Sequence, residues 1–149
     1  MSEEEDFTAY CGLFCQDCIP SNAQLFRAVR DLLELSNQLR LDLYAQLKSN
    51  TNEAFSDYEV FAKVLSELAT LQCPAPCRHG GGKADCPIRE CARARRYFGC
   101  WECSVRRECE LLLPLRRFHG ETIDGNLDAI ARYGLGGWAD KRGRHYPWS

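Results

Sequence analysis

Between residues 21 and 72 the apolar positions recur at helical steps. Leu25, Val29, Leu32, Leu33, Leu39, Leu43, Tyr44 and Leu47 are spaced mostly by three and four residues, with Ser36 as a polar member of the same row. This spacing puts an apolar stripe on one side of a helix over about 21–48. Ser49-Asn50-Thr51-Asn52 interrupts it. A second stripe follows through Tyr58, Phe61, Val64, Leu65, Leu68 and Leu71, and Pro74 closes it. Ser56 and Glu59 predict a capping box at its start, each side chain satisfying the other's free amide. Two long stripes joined by a short polar link predict an antiparallel helical hairpin.

Past Cys73 the periodic runs shorten. Pro87 suits the first turn of a helix with Cys86 in its N-cap region, reaching to about Tyr97. Ser104 is placed to cap a similar helix through Cys109, and Pro114 forces a break or a restart. A last helix is expected from about Asn126 to Tyr133, ended by Gly134 as a left-handed cap. The tail beyond it has no periodicity and reads as irregular, pinned by Trp138. Cys86-Pro-Ile-Arg-Glu-Cys91 and Cys103-Ser-Val-Arg-Arg-Glu-Cys109 form a near-repeat, expected to set one cysteine at a helix start and another just over a turn inside. The expected architecture is mainly α and a single domain over 1–149. A long helical hairpin (about 21–72) packs on a small metal-braced cysteine-rich module of short helices and loops (11–18 plus 73–119). A C-terminal helix and tail occupy 120–149.

At 149 residues, 45% hydrophobic and 27% charged, the chain can close one ordinary core. Its ten cysteines set it apart. The opening MSEEEDFTAY has neither the basic nor the apolar part of a secretory signal, so a reducing cytoplasm is the expected compartment. There, clustered thiols bind metal or do redox chemistry rather than pair as structural disulfides. No run approaches the ~18 apolar residues of a membrane span, so no membrane is expected as a partner.

The spacing of the thiols points to zinc. A Cys-x2-Cys turn aims two sulfurs at one point, and zinc takes four such ligands in a tetrahedron. Cys15/Cys18 and Cys100/Cys103 have that spacing; Cys73/Cys77 and Cys86/Cys91 are slightly wider. Four pairs fit two closed sites. The expected partition joins Cys73, Cys77, Cys86 and Cys91 locally, and Cys15, Cys18, Cys100 and Cys103 across the hairpin. The competing partition sets Cys73/Cys77 opposite Cys100/Cys103. Cys11 and Cys109 remain as buried thiols or substitute ligands. An iron–sulfur cluster is the alternative cofactor, because it too is held by thiolates, and the alternative function is an iron–sulfur or open-site metalloenzyme or redox protein.

Charge is unevenly spread, although the net charge is only −2. Residues 1–72 have 5 Lys and Arg against 12 Asp and Glu; residues 73–119 have 10 against 5. A zinc held by four thiolates carries a formal charge of about −2, so the basic stretch reads first as compensation for its own metal centres. The second reading is a nucleic-acid surface over 78–117 through Arg89, Arg93, Arg95 and Arg96.

Other motifs fall short. Cys11-x3-Cys15-x2-Cys18 has the radical-SAM spacing, but such enzymes need a much longer barrel chain. A thioredoxin-like site wants a strand before its Cys-x2-Cys, and none is predicted. Gly80-Gly81-Gly82-Lys83 lacks the following Ser/Thr and the first glycine of a phosphate loop, so the glycines read as turn residues. His79 reads as an exposed loop residue rather than a ligand. His119 and His145 have no placeable partner, and Trp101, Trp138 and Trp148 read as packing residues. No catalytic constellation stands out, so a non-enzymatic binding or adaptor role with a protein partner is the leading expectation.

The ordered set Tyr10-Cys11-Gly12-Leu13-x-Cys15-x2-Cys18, Cys73-x3-Cys77, Cys86-x-Ile88-Arg89-x-Cys91-Ala92, Cys100-x2-Cys103 and Cys109 resembles a family of short cysteine-rich bacterial and archaeal proteins. That family is known only as a domain of unknown function with a suspected zinc-binding role. The resemblance covers about residues 9–113 and implies that Cys11 and Cys109 belong to the pattern. The chain departs from it in having three residues, rather than two, between Cys73 and Cys77. The family lends no activity.

Overall fold

A computed structural model describes residues 3–143 and 146. The described residues form seven α-helices: α1 Glu3–Phe7, α2 Ala23–Gln38, α3 Leu41–Ser49, α4 Tyr58–Ala69, α5 Pro87–Ala94, α6 Leu113–His119 and α7 Thr122–Tyr133. Short 3-10 turns join them. Among the described residues there is no strand, only one antiparallel bridge between Thr8 and Phe14. The mainly helical character expected from the sequence is present. The chain divides into two compact units, a helical one over Asn22–Gln72 and a cysteine-bearing one made of Met1–Ser21 with Cys73–Ser149.

In the helical unit, Asn22 Oδ1 accepts the Leu25 N–H at 2.9 Å and opens α2. The single helix predicted over 21–48 is divided. Arg40 takes a left-handed φ of 52°, ending α2 and starting α3. Its guanidinium grips Asp42 through hydrogen bonds of 3.0 and 2.9 Å, and Asp42 lies in the first turn of α3, where a carboxylate is favoured. No glycine or proline marks the break, so the apolar row runs straight across it. The predicted Ser56/Glu59 capping box does not form. Residues Glu53–Asp57 are a 3-10 turn capped by Asn52, and the Phe55 carbonyl accepts the Tyr58 N–H, so the turn runs directly into α4.

Arg30 Nη1 donates to Gln72 Oε1 at 2.7 Å, which sets the N-terminal half of α2 beside the end of α4 and makes the two antiparallel. The predicted hairpin is therefore a three-helix unit. Its buried apolar residues are Phe26, Val29, Ala45 and Leu65. Much of the predicted stripe stays outside: Leu39 is 74% exposed and Leu47 72%, and Val64 and Leu71 are also exposed.

The cysteine unit is built on Phe14, Ile88, Trp101, Leu112, Ile123, Leu127, Ile130, Trp138 and Ala139. Its N-terminal loop is folded back on itself and then clamped. Ala9 N–H donates to Leu13 O at 2.8 Å, and Gly12, at a φ of 84°, turns its carbonyl to Asn126 Nδ2 at 2.8 Å. A Cβ on Gly12 would meet Leu127 at 2.9 Å, so glycine is required there by both conformation and space. Trp138, fully buried, donates its indole N–H to Thr8 Oγ1 at 2.9 Å and receives Phe14 edge-on at 5.8 Å. The tail is thus pinned by Trp138, as expected. His145 and Trp148 lie outside the described residues.

Helix α5 begins as predicted, with Cys86 as N-cap and Pro87 in the first turn. It ends three residues early, at Ala94, because Arg96 adopts a φ of 59°. Ser104 caps no α-helix. Residues 106–112 form two 3-10 turns instead, and α6 restarts with Pro114 in its first turn. Arg116 braces these turns, donating to the carbonyls of Arg106 (2.7 Å) and Cys109 (3.1 Å), which also accept the N–H groups of Cys109 and Leu112 three residues on. Asp124 holds that guanidinium through two bonds of 2.9 Å. Helix α7 starts at Thr122, four residues before the predicted Asn126, and ends at Gly134 with a φ of 73°.

Candidate metal centre

Two like turns carry the Cys-x2-Cys pairs. Cys18 N–H donates to Cys15 O at 3.1 Å, and Cys103 N–H donates to Cys100 O at 3.1 Å. Cys73 is drawn to the first turn by its N–H, which donates to Pro20 O at 2.9 Å, while Cys100 N–H donates to Tyr10 O at 2.8 Å, next to Cys11. After Cys77 the chain doubles back, with His79 and Gly81 both donating to Pro76 O at 2.9 and 3.0 Å. A Cβ on Gly81 would lie 1.6 Å from Ala75 O, so only glycine fits this loop.

Arg89 organises that loop from inside. It is buried and donates to the carbonyls of Gly81 (2.9 Å), Lys83 (2.9 Å), Ala84 (2.6 Å) and, more weakly, Cys77 (3.4 Å). Four inward bonds make it a strut rather than a nucleic-acid contact. Arg89→Met is expected to lower stability by about 3 kcal/mol, because several buried carbonyls lose a charged donor. A denaturation midpoint that falls, and is partly recovered by Arg89→Lys, checks this; an unchanged midpoint refutes it.

The thiols fall into two neighbourhoods. Burial pushes Cys15 up to about 11, with Cys77, Cys18 and Cys73 adding like-charge repulsion, while the Cys77 N–H bonded to its sulfur acts the other way. Burial likewise pushes Cys100 up to about 12, and its thiol neighbours are Cys109, Cys103, Cys91 and Cys86. Cys11, pushed up to about 12 mainly by burial, feels Cys77, Cys100 and Cys86 and so lies between the groups. Cys18 is raised less and accepts a bond from the Tyr146 hydroxyl. Thiols held this high stay protonated near neutrality and are poor nucleophiles.

These neighbours differ from both partitions read from the sequence. Cys73 and Cys77 lie with Cys15 and Cys18, and Cys91 lies with Cys100, Cys103 and Cys109. The Pro20–Cys73 bond sets Cys73 beside the Cys15/Cys18 turn, and α5 brings Cys91 to the wall it shares with Cys100, Cys103 and Cys109. A cavity of about 30 Å3 is lined by Cys91, Cys100, Cys103 and Cys109 with Ile88, Ala92 and Leu112. That is room for an ion or a water and not for a substrate. Among the described residues, no three His, Cys, Asp or Glu side chains converge tightly enough to enclose an ion.

The match to a family model decides where the chain belongs. The model described as a protein of unknown function (DUF3795) matches residues 7–114. The chain belongs to this DUF3795 family. The match takes in all ten cysteines and the helical unit, while α7 and Trp138, which clamp the N-terminal loop, lie beyond it. No curated protein and no solved structure matches the chain.

His79 is half-exposed and pairs with Asp6 at 3.1 Å, as befits a loop residue. His119 packs between the rings of Phe118 and Tyr146. Trp101 is buried in the core, as expected of a packing residue. Of the near-repeat, Cys86 and Cys91 follow the predicted helix placement, whereas Cys103 and Cys109 each follow a 3-10 turn. No helix of the described residues is long and apolar enough to cross a membrane.

Proposed function

We propose that this member of the DUF3795 family is a zinc-stabilised binding or adaptor protein of the cytoplasm, with two closed sites of four thiolates each. One set is Cys15, Cys18, Cys73 and Cys77; the other is Cys91, Cys100, Cys103 and Cys109, with Cys11 and Cys86 between them. The observation that carries the reading is the small cavity that four cysteines from separate segments line together. Arg95 and Arg106 line it too, which suits compensation of a negatively charged thiolate site. When bound, zinc supplies folding free energy rather than a reactive position. The chain's own part is to present the thiols on short turns and to keep water from them with Ile88 and Leu112.

Elemental analysis of anaerobically prepared protein tests this. Two zinc per chain are expected, with Cys18→Ser and Cys109→Ser each losing one. Iron with absorbance near roughly 400 nm would replace zinc by an iron–sulfur cluster. Folded protein free of any metal would overturn both.

A further inference from the structure

The cysteine unit carries a cationic, aromatic cleft that the metal reading does not use. It has a volume of about 360 Å3 and is lined by three arginines, Arg78, Arg93 and Arg96, by Tyr10, Tyr97 and Phe98, and by His79. That is a volume proper to a small organic ligand. Arg78 is the fixed floor. Its Nε donates to Glu5 O and its Nη1 to Phe98 O, both at 3.0 Å, and its plane lies 4.9 Å from the Tyr10 ring and 4.7 Å from Phe98. Arg93 is steered by Tyr10, donating to its hydroxyl at 3.2 Å.

None of these three arginines forms an ion pair among the described residues, although six ion pairs occur elsewhere or at the margin. The carboxylates bordering the cleft are already engaged. Asp6 pairs with His79, and Glu102 accepts the Phe98 N–H at 2.7 Å. Arg96 also holds a left-handed φ of 59° that glycine or asparagine adopts more easily, a local cost of the kind found at ligand sites. Phe98 has Arg78 against its ring yet remains 46% exposed. Arg78 faces the Glu5 carboxylate and Cys77, and Arg93 faces Cys77. Arg96 and the outer donors of Arg93 are therefore the groups left to take an anion, and the exposed Phe98 ring beside them suits a flat partner.

We propose that this cleft binds a nucleoside phosphate, its base stacked on Phe98 and its phosphate held by Arg93 and Arg96. The phosphorylated nucleoside is either free or at the end of a single-stranded nucleic acid; the chemistry recognised is the same. Arg89 and Arg95 play no part in it. Arg89 points inward, and Arg95 turns to the Cys91 sulfur and the Tyr97 hydroxyl.

Calorimetry on the full, metal-loaded chain at about 50 mM salt, where phosphate contacts are strongest, tests the site. Adenosine 5′-monophosphate is expected to bind saturably, with adenosine and inorganic phosphate each at least about tenfold weaker. Phe98→Leu, Arg93→Gln and Arg96→Asn should each weaken it about tenfold, with metal content and tryptophan fluorescence unchanged. Asparagine at 96 keeps the left-handed backbone accessible. A 5′-phosphorylated single strand that binds far more tightly than the mononucleotide, with steep salt dependence, identifies a nucleic-acid end; equal binding identifies a free nucleotide. Either supports the site. No saturable binding of mononucleotide or strand, or binding that the three folded variants leave intact, overturns it. Phosphate binding as well as the mononucleotide overturns the stacking.

Discussion

On the proposed zinc reading, treating the protein with a strong chelator is expected to unfold its cysteine unit outright. Structural zinc contributes on the order of 10–16 kcal/mol of apparent folding free energy per site, against a typical domain stability of ~5–15 kcal/mol. Losing either site therefore removes about as much as the whole unit has. The probe is built in: Trp101 and Trp138 both lie in the core of this unit, so their fluorescence should shift to that of solvated indole. Cys100→Ser should lower metal content and melting temperature together. A chelated, metal-free chain with its native tryptophan spectrum would refute the prediction.

The second large effect is expected at Trp138. Trp138→Ala should cost about 3–5 kcal/mol, the range for removing a large buried aromatic side chain. The indole is fully buried, meets Phe14 edge-on, and gives its N–H to Thr8 across 130 residues of chain. Thr8 is itself buried, and its hydroxyl donates to Glu4 O at 2.6 Å. Trp138→Phe keeps most of the packing and loses the indole donor, so it should recover more than half of the loss. The difference between the two midpoints in denaturant measures packing against hydrogen bonding. If alanine and phenylalanine cost the same, the Thr8 bond rather than packing dominates.

How far the sequence could be read depends on whether a feature was local. The N-cap at Cys86 with Pro87, the turn at Gly80–Gly82 and the end of α7 at Gly134 were legible, since each is decided by one or two residues with restricted or permissive backbones. The break at Arg40 was not, because an arginine holds the left-handed conformation there, which no residue type announces. The missing helix at Ser104 was not legible either: Arg116, from outside the segment, braces the carbonyls of Arg106 and Cys109 in 3-10 turns. All ten cysteines were visible as candidates, but their grouping depends on contacts such as Pro20 with Cys73. Arg89 looked like a surface cation because charge alone cannot say which way a guanidinium points.

The hydrogen bond from Cys73 to Pro20 means that the chain leaves the cysteine unit and returns to it at one place, with Asn22–Gln72 inserted between. On the ribosome this imposes an order. Chains emerge at about 5–20 residues per second, so α2 to α4 are available for some seconds while Cys11, Cys15 and Cys18 await Cys73 and Cys77. Thr8 and Gly12 wait longer still, until Trp138 and Asn126 have been made. During that interval the earliest thiols are open to oxidants and to stray ions. On the zinc reading, the nascent polypeptide therefore has a window of vulnerability that metal uptake closes.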